Sequence, residues 1–208
     1  MSGVPILWNS DHKLILASRS EPRRHLLASA GIPFETATAE IDERGVEDAF
    51  LNQGGATQKL AGFLARAKAA EVSRRHPGTL CVGADQVLSL DGRILHKART
   101  NRDAAIQLAR LSGRTHRLTS AFAIVKDGRV AYEAEDHVDM SMRSLSPAQI
   151  DLYLRLVGEA ALTSVGGYQL EKFGVHLMEK IQGDYATILG LPILKLLSCL
   201  RLEGALAL

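Results

Sequence analysis

A four-residue apolar run, Leu14-Ile15-Leu16-Ala17, stops at Ser18-Arg19-Ser20 and gives way at once to a helix start. An apolar run this short, closed by turn residues, reads as a buried strand. Ser20 is a good N-cap, Pro22 suits a first turn, and Gly31 after Ala30 supplies a stop. A strand that passes straight into a helix requires helices packed on a sheet. The same alternation continues. Phe34 to Thr38 reads as strand, Gly54-Gly55 precede a helix from Ala56 to Arg75, and Leu80 to Val82 is a buried strand ending at Gly83-Ala84-Asp85. Leu60, Phe63, Leu64 and Ala67 share one face of that helix.

The middle of the chain changes character. Gln86 to Lys97 reads as a hairpin around Asp91-Gly92, and His116 to Val125 pairs with Val130 to Met142 around Asp127-Gly128. Asp-Gly is a strong two-residue turn signal. Asn101 caps a helix to Leu111, and Ser146-Pro147-Ala148-Gln149 is a capping box opening a helix to Val157. Tyr168 to Met178 reads as strand, and a last helix runs from Pro192 to Leu202. Alternation followed by hairpins gives an α/β fold with a mixed central sheet flanked by helices. The 208 residues form a single domain, with its core at about 14–200, or two small lobes sharing a core.

Composition excludes several classes. With 46% apolar residues and a net charge of +2, disorder is ruled out. No apolar stretch approaches the roughly 20 residues of a membrane span. Met1 to Asn9 show no basic region before a long apolar run, so no signal peptide is expected and the cytoplasm is the expected address. Cys81 and Cys199 sit apart in apolar runs and read as free thiols. The seven histidines form no i, i+3 or i, i+4 pair, which disfavours a histidine metal site. Basic residues are not interleaved with aromatics, so a nucleic-acid polymer is not an expected partner. No Rossmann or P-loop glycine pattern is present.

Five segments remain where chemistry could sit. Ser18-Arg19-Ser20-Glu21-Pro22-Arg23-Arg24 places hydroxyls and guanidinium groups at a helix N-terminus. That is either a phosphate cradle or a capped surface helix with solvated arginines. Asp85 is a carboxylate at the end of an apolar strand, placed to hold Mg²⁺ or deprotonate water, or simply to cap a turn. Lys97 comes back beside Asp85 at the hairpin end, as a phosphate-neutralising group or as an exposed lysine. Ile41-Asp42-Glu43 is a metal-ligand pair or an acidic loop. Gly166-Gly167-Tyr168-Gln169-Leu170-Glu171 allows close backbone approach to a ligand, or a tight turn.

Together these segments resemble the Maf family of nucleoside triphosphate pyrophosphatases, in the branch of the 7-methyl-GTP pyrophosphatases. The matching pieces run from Leu16 to Arg24, then Ile41-Asp42-Glu43, Ala65 to Ala69, Gly83 to Val87, the Lys97 region, Ser112 to His116, Gly166-Gly167-Tyr168 and Gly190-Leu191-Pro192. The resemblance implies a Maf/ITPase-like fold of two lobes with a cleft, usually as a homodimer. It implies cleavage between the α and β phosphates with a divalent cation, Mg²⁺. It implies that Asp85 is the catalytic proton acceptor and that Glu43 lines the site, where the two carboxylates can supply the metal ligands. Ser18, Ser20, Arg23, Lys68 and Lys97 then bind phosphate, and Pro22, Gln86 and Glu171 stand at the specificity positions. Asp85-Gln86 and Leu170-Glu171 lean to the 7-methyl-GTP branch rather than to the dTTP/UTP branch, which has Asp-Thr and Ile-Gln-Gly. Glu21-Pro22, His96, Ala98 and Lys172 depart from the usual motif residues and bear on substrate choice. A non-catalytic nucleotide-binding regulator of cell division is the remaining alternative.

Overall fold

The structure is a computed structural model and describes residues 7–208. The expectation that no leader opens the chain falls largely on residues 1–6, outside the described residues. In chain order the elements are β1 (Leu14–Ala17), α1 (Glu21–Ser29), β2 (Glu35–Thr36), α2 (Glu43–Asn52), α3 (Leu60–Arg75), β3 (Leu80–Leu90), β4 (Arg93–Leu95), α4 (Asn101–Leu111), β5 (Thr115–Lys126), β6 (Arg129–Met142), α5 (Pro147–Val157), β7 (Met178–Gln182), α6 (Tyr185–Ile188) and α7 (Ile193–Leu202). The strands form one sheet in the order β2-β1-β3-β5-β6-β7, with β4 on β3. β1 pairs in parallel with β2 and β3, while β3–β4 and β6–β7 are antiparallel. The mixed α/β expectation is met. No helix of the described residues is long and apolar enough to cross a membrane.

The chain divides into two compact units. The first takes the residues up to Asp85, Ser120–Asp136 and Leu189–Leu208. Its core gathers Leu14, Leu16, Leu27, Leu80, Val82, Phe122, Ile124, Leu196 and Leu200, all buried. Gly83 decides how closely α3 lies on β3. A Cβ there would stand 2.1 Å from the Ala65 carbonyl oxygen and 2.6 Å from the Ala69 nitrogen. Only a residue without a side chain lets helix backbone meet strand backbone this closely.

The second unit takes Gln86–Thr119 and His137–Ile188. Its core is built from Leu88, Leu108, Leu111, Val138, Met140, Met142, Tyr153 and Tyr168. Among its buried polar residues is His116, 2% exposed, whose Nε2 lies 2.6 Å from the Tyr168 hydroxyl. The Tyr168 hydroxyl donates to Met140 Sδ, so His116 Nε2–H is the donor to tyrosine. That leaves Nδ1 as a buried lone pair with no partner. A proton on Nδ1 would find no acceptor, and burial pushes the His116 pKa down to about 4 against a smaller opposing pull from Asp139.

The Asp-Gly signals hold: Asp91-Gly92 and Asp127-Gly128 all have positive φ and join β3 to β4 and β5 to β6. The Ser146/Gln149 capping box is formed on both sides. Other expectations are corrected. β3 does not end at Gly83-Ala84-Asp85 but continues to Leu90, so Asp85 lies within the strand. What ends there is its neighbour, since β1 pairs only as far as Gly83. β2 is shorter than Phe34 to Thr38. α2 occupies a stretch that had no expected helix, and no residue of it is fully buried. Tyr168 to Met178 is not a strand: Phe173–Leu177 is a 3-10 turn, and the strand β7 begins only at Met178.

Two measurements test this packing. Gly83→Ala places its methyl against backbone that cannot rotate away, at the upper end of the cost of overpacking, about 3 kcal/mol. Its urea midpoint is expected to fall well below that of the wild type, and an unchanged midpoint would refute the close approach. His116 is neutral in the folded protein down to about pH 4, whereas an unfolded histidine takes its proton near 6.5. Its contribution is therefore complete above pH 6.5 and is lost as pH falls towards 4, up to roughly 3 kcal/mol. His116→Gln should flatten that part of the stability–pH curve. Equal slopes for the two proteins would reject the assignment.

Candidate active site

In the first unit, the turn after β1 brings Ser18 and Ser20 to the start of α1. Ser20 occupies the N-cap position, but its hydroxyl makes no capping bond. Its N–H donates to Ser18 Oγ at 3.2 Å instead. Arg23 is one turn further on and 9% exposed. Its Nε donates to the Gly190 carbonyl at 2.9 Å, and its Nη1 donates to the Ala84 carbonyl at 2.8 Å and to Ser18 Oγ at 3.2 Å. Three of the five guanidinium donors are thus spent on the protein, and Nη2 carries the remainder. Burial lowers the Arg23 pKa, against the charges of Asp85 and Glu43. Arg19 is exposed, and Arg24 pairs with Glu21 at the surface. Pro22 is half-buried in the first turn of α1.

The second group centres on Lys68, which projects from α3. Its Nζ is 2.9 Å from Glu43 Oε2 and 3.4 Å from Asp85 Oδ1. The side chains of Lys68 and Asp85 are largely buried, while that of Glu43 is 57% exposed. The close seating of α3 on Gly83 fixes this triad, because Asp85 is two residues along β3 and Lys68 is one position before Ala69. Two carboxylates sharing one ammonium are hard oxygen donors of the kind Mg²⁺ takes in ones and twos, completing its shell from water and phosphate. Among the described residues, no group of three or more His, Cys, Asp or Glu could hold a metal by itself. The donor set therefore fits a cation only if substrate oxygens supply the rest.

In the second unit, Gln86 is half-buried, and its Nε2 donates to the carbonyls of Thr187 at 3.2 Å and Ile188 at 2.9 Å. Lys97 is exposed and pairs through its backbone with Val165, next to Gly166-Gly167. Glu171 is exposed beyond that loop, which the buried side chains of Tyr168 and Leu170 pin down. Ser18, Ser20, Arg23, Glu43, Lys68 and Asp85 thus lie in one unit, and Gln86, Lys97 and Glu171 in the other. Sequence reasoning gave no role to the Ala84 and Gly190 carbonyls. The signal was Gly190 itself, whose φ of +94° and missing Cβ leave room for the Arg23 side chain.

The profile of the Maf-like protein family matches residues 13–203. The chain belongs to that family. Among its relatives is a nucleoside triphosphate pyrophosphatase of Nitrobacter winogradskyi, 49% identical, covering 97% of this chain and 99% of that protein. A 7-methyl-GTP pyrophosphatase of Rhizobium johnstonii is 53% identical over 93% of this chain and 98% of that one. Another 7-methyl-GTP pyrophosphatase, from Brucella abortus, is 47% identical over 92% of this chain and 96% of that one. A solved dITP/XTP pyrophosphatase of Mycobacterium abscessus, 22% identical with a TM-score of 0.38, covers 73% of this Maf-like chain and 94% of its own.

The Arg23 contacts predict an asymmetry between neighbouring arginines. The single ammonium nitrogen of a lysine at 23 cannot span the acceptors that Nε and Nη1 reach from opposite sides of the guanidinium fork, and the lost charge-assisted bonds cost on the order of 3 kcal/mol. Arg23→Lys should lower both the unfolding midpoint and turnover, while Arg19→Ala changes turnover by less than about twofold, as an exposed surface change does. Equal losses would mean a diffuse basic patch rather than a formed cradle.

Proposed function

We propose that the protein hydrolyses a nucleoside triphosphate between its α and β phosphates, releasing the monophosphate and pyrophosphate, with 7-methyl-GTP as the preferred substrate. The observation that carries this reading is Lys68 held between Glu43 and Asp85 in the same unit as the Arg23 cradle. Water attacks the α-phosphorus, the bond to the bridging oxygen breaks, and pyrophosphate leaves with that oxygen. Asp85 takes the proton from the water as general base. Lys68, the Nη2 of Arg23 and the hydroxyls of Ser18 and Ser20 meet phosphate oxygens, and Lys97 adds charge in the role that the family resemblance gives it. A divalent cation, Mg²⁺ in this reading, would be held by Asp85 and Glu43 and would supply neutralisation of the phosphate charge. A homodimer, which rests on the family resemblance alone, and a cytoplasmic address, which is the expectation from the sequence, complete the reading.

Substrate choice is read from Glu171. A carboxylate accepts from the N1–H and exocyclic amine of guanine, and a 7-methylated base adds positive charge to that pairing. Thymine and uracil offer two carbonyls and one N–H, and suit an amide better. The high identity to relatives named 7-methyl-GTP pyrophosphatase supports the same choice. Pyrophosphate release should be measured with 7-methyl-GTP, GTP, dTTP and UTP in Mg²⁺ buffer. The wild type should show the highest kcat/KM for 7-methyl-GTP. Asp85→Asn should lose about two orders of magnitude or more of turnover, and Glu171→Gln should narrow the preference by about tenfold. A higher kcat/KM for dTTP or UTP in the wild type sinks the substrate assignment, and full turnover by folded Asp85→Asn sinks the mechanism.

A further inference from the structure

One turn beyond Lys68, α3 carries a second buried carboxylate that the reaction does not use. Glu71 is 8% exposed. Its Oε1 accepts from Arg75 Nε and its Oε2 from Arg75 Nη2, both at 2.8 Å, so the pair is bidentate. The same Oε2 accepts the backbone N–H of Glu40 at 3.0 Å, and Arg75 Nη2 also donates to the Thr38 carbonyl at 2.7 Å. The hydrogen bonds from Arg75 hold the Glu71 carboxyl below the usual carboxylate range. The two side chains therefore grip 38–40, the connection between β2 and α2, by one backbone donor and one backbone acceptor.

What that grip controls follows from α2. The helix buries none of its residues fully, and its N-cap, Asp42, makes no side-chain capping bond. Its far end is tied to α3 by Phe50 against Phe63, with ring centroids 4.6 Å apart. Its near end is tied by the Glu71–Arg75 grip three residues before Glu43. Glu43 is the first residue of α2, and its carboxylate returns to α3 to meet Lys68. Lys68 and Glu71 are i, i+3 neighbours on one helix face. One helix thus carries both the cation that Glu43 meets and the clamp that sets where Glu43 starts. Stability alone is a poor reason for the pair, since Arg75 is exposed and ion pairs that reach the surface contribute little. An apolar pair, however, would leave the Glu40 N–H and the Thr38 carbonyl without these partners.

We propose that Glu71 and Arg75 are positioning residues that hold the start of α2 so that Glu43 meets Lys68, and that they act on turnover only through Glu43. This rests on the reading of Glu43 as part of the reaction. The test is a double-mutant cycle on the full chain: wild type, Glu71→Gln, Glu43→Gln and the double variant. Turnover of 7-methyl-GTP with Mg²⁺ is measured at a temperature where unfolding curves show all four proteins folded. Glu71→Gln is expected to lower kcat on the order of tenfold in the wild type and by less than about twofold on top of Glu43→Gln, the non-additivity of residues in one network. Should Glu71→Gln fail to fold, Arg75→Lys, which keeps the charge and loses the bidentate fork, is put through the same cycle. Additive losses overturn the proposal, because a residue acting on folding or on another group lowers turnover whether or not Glu43 is intact. Full turnover by Glu43→Gln overturns the role of Glu43 and the proposal with it. Loss in Glu43→Gln with none in Glu71→Gln overturns the proposal alone.

Discussion

The buried guanidinium of Arg23 is the constraint around which the first unit is organised. A charge taken out of water must find hydrogen bonds at once, or it destabilises the fold by several kcal/mol. Arg23 finds them at Ser18, Ala84 and Gly190, which are 5, 61 and 167 residues away in sequence. The start of α1, the edge of Asp85 and the Gly190-Leu191-Pro192 segment therefore cannot drift apart without stranding a cation. The site is held together by the same bonds that make the burial of its arginine tolerable.

A second constraint is steric. Because Gly83 has no side chain, α3 rests on β3 at backbone distance, and the face of α3 next to that contact carries Lys68 and Glu71. Lys68 and Asp85 are thus placed by helix-on-strand packing, whereas Ser18 and Ser20 are placed by the turn after β1. Only Glu43 enters from a helix without a buried face, which makes it the member of the triad most in need of outside support.

Much of this was legible in the chain. The Asp-Gly turns were plain because positive φ at both positions is rarely satisfied by other pairs, and the Ser146 capping box was plain because its two bonds are local. The Ser18 to Arg24 segment, Glu43 and Asp85 stood out from the residues themselves and Lys68 through the family resemblance, and the structure brings them into one unit. What failed to show was long-range. Asp85 read as a strand end because the apolar run stops there, whereas it is the pairing with β1 that stops. α2 was missed because Asp42 and Glu43 read as an acidic loop, although Val46, Ala49 and Phe50 recur behind them at helical spacing. Tyr168 and Leu170 looked like a strand because they alternate, and they are two plugs that pin a loop. That the arginine would use backbone carbonyls was marked only by Gly190, since every residue has a carbonyl and few leave room beside it.

The Gln86 amide has a consequence for how specificity can change. Its Nε2 binds two carbonyls at the end of α6, where Thr187 and Ile188 are themselves buried. A residue at a specificity position is usually treated as a free variable, to be exchanged for that of the neighbouring branch. Here the exchange is coupled: threonine at 86, the residue of the dTTP/UTP branch, is too short to serve both carbonyls. Any route between the two branches that begins at this position must first re-solve the hydrogen bonding of a helix terminus. In the specificity role that the family resemblance implies for Gln86, a change of substrate range would carry a cost in folding stability, set by the two carbonyls its amide serves.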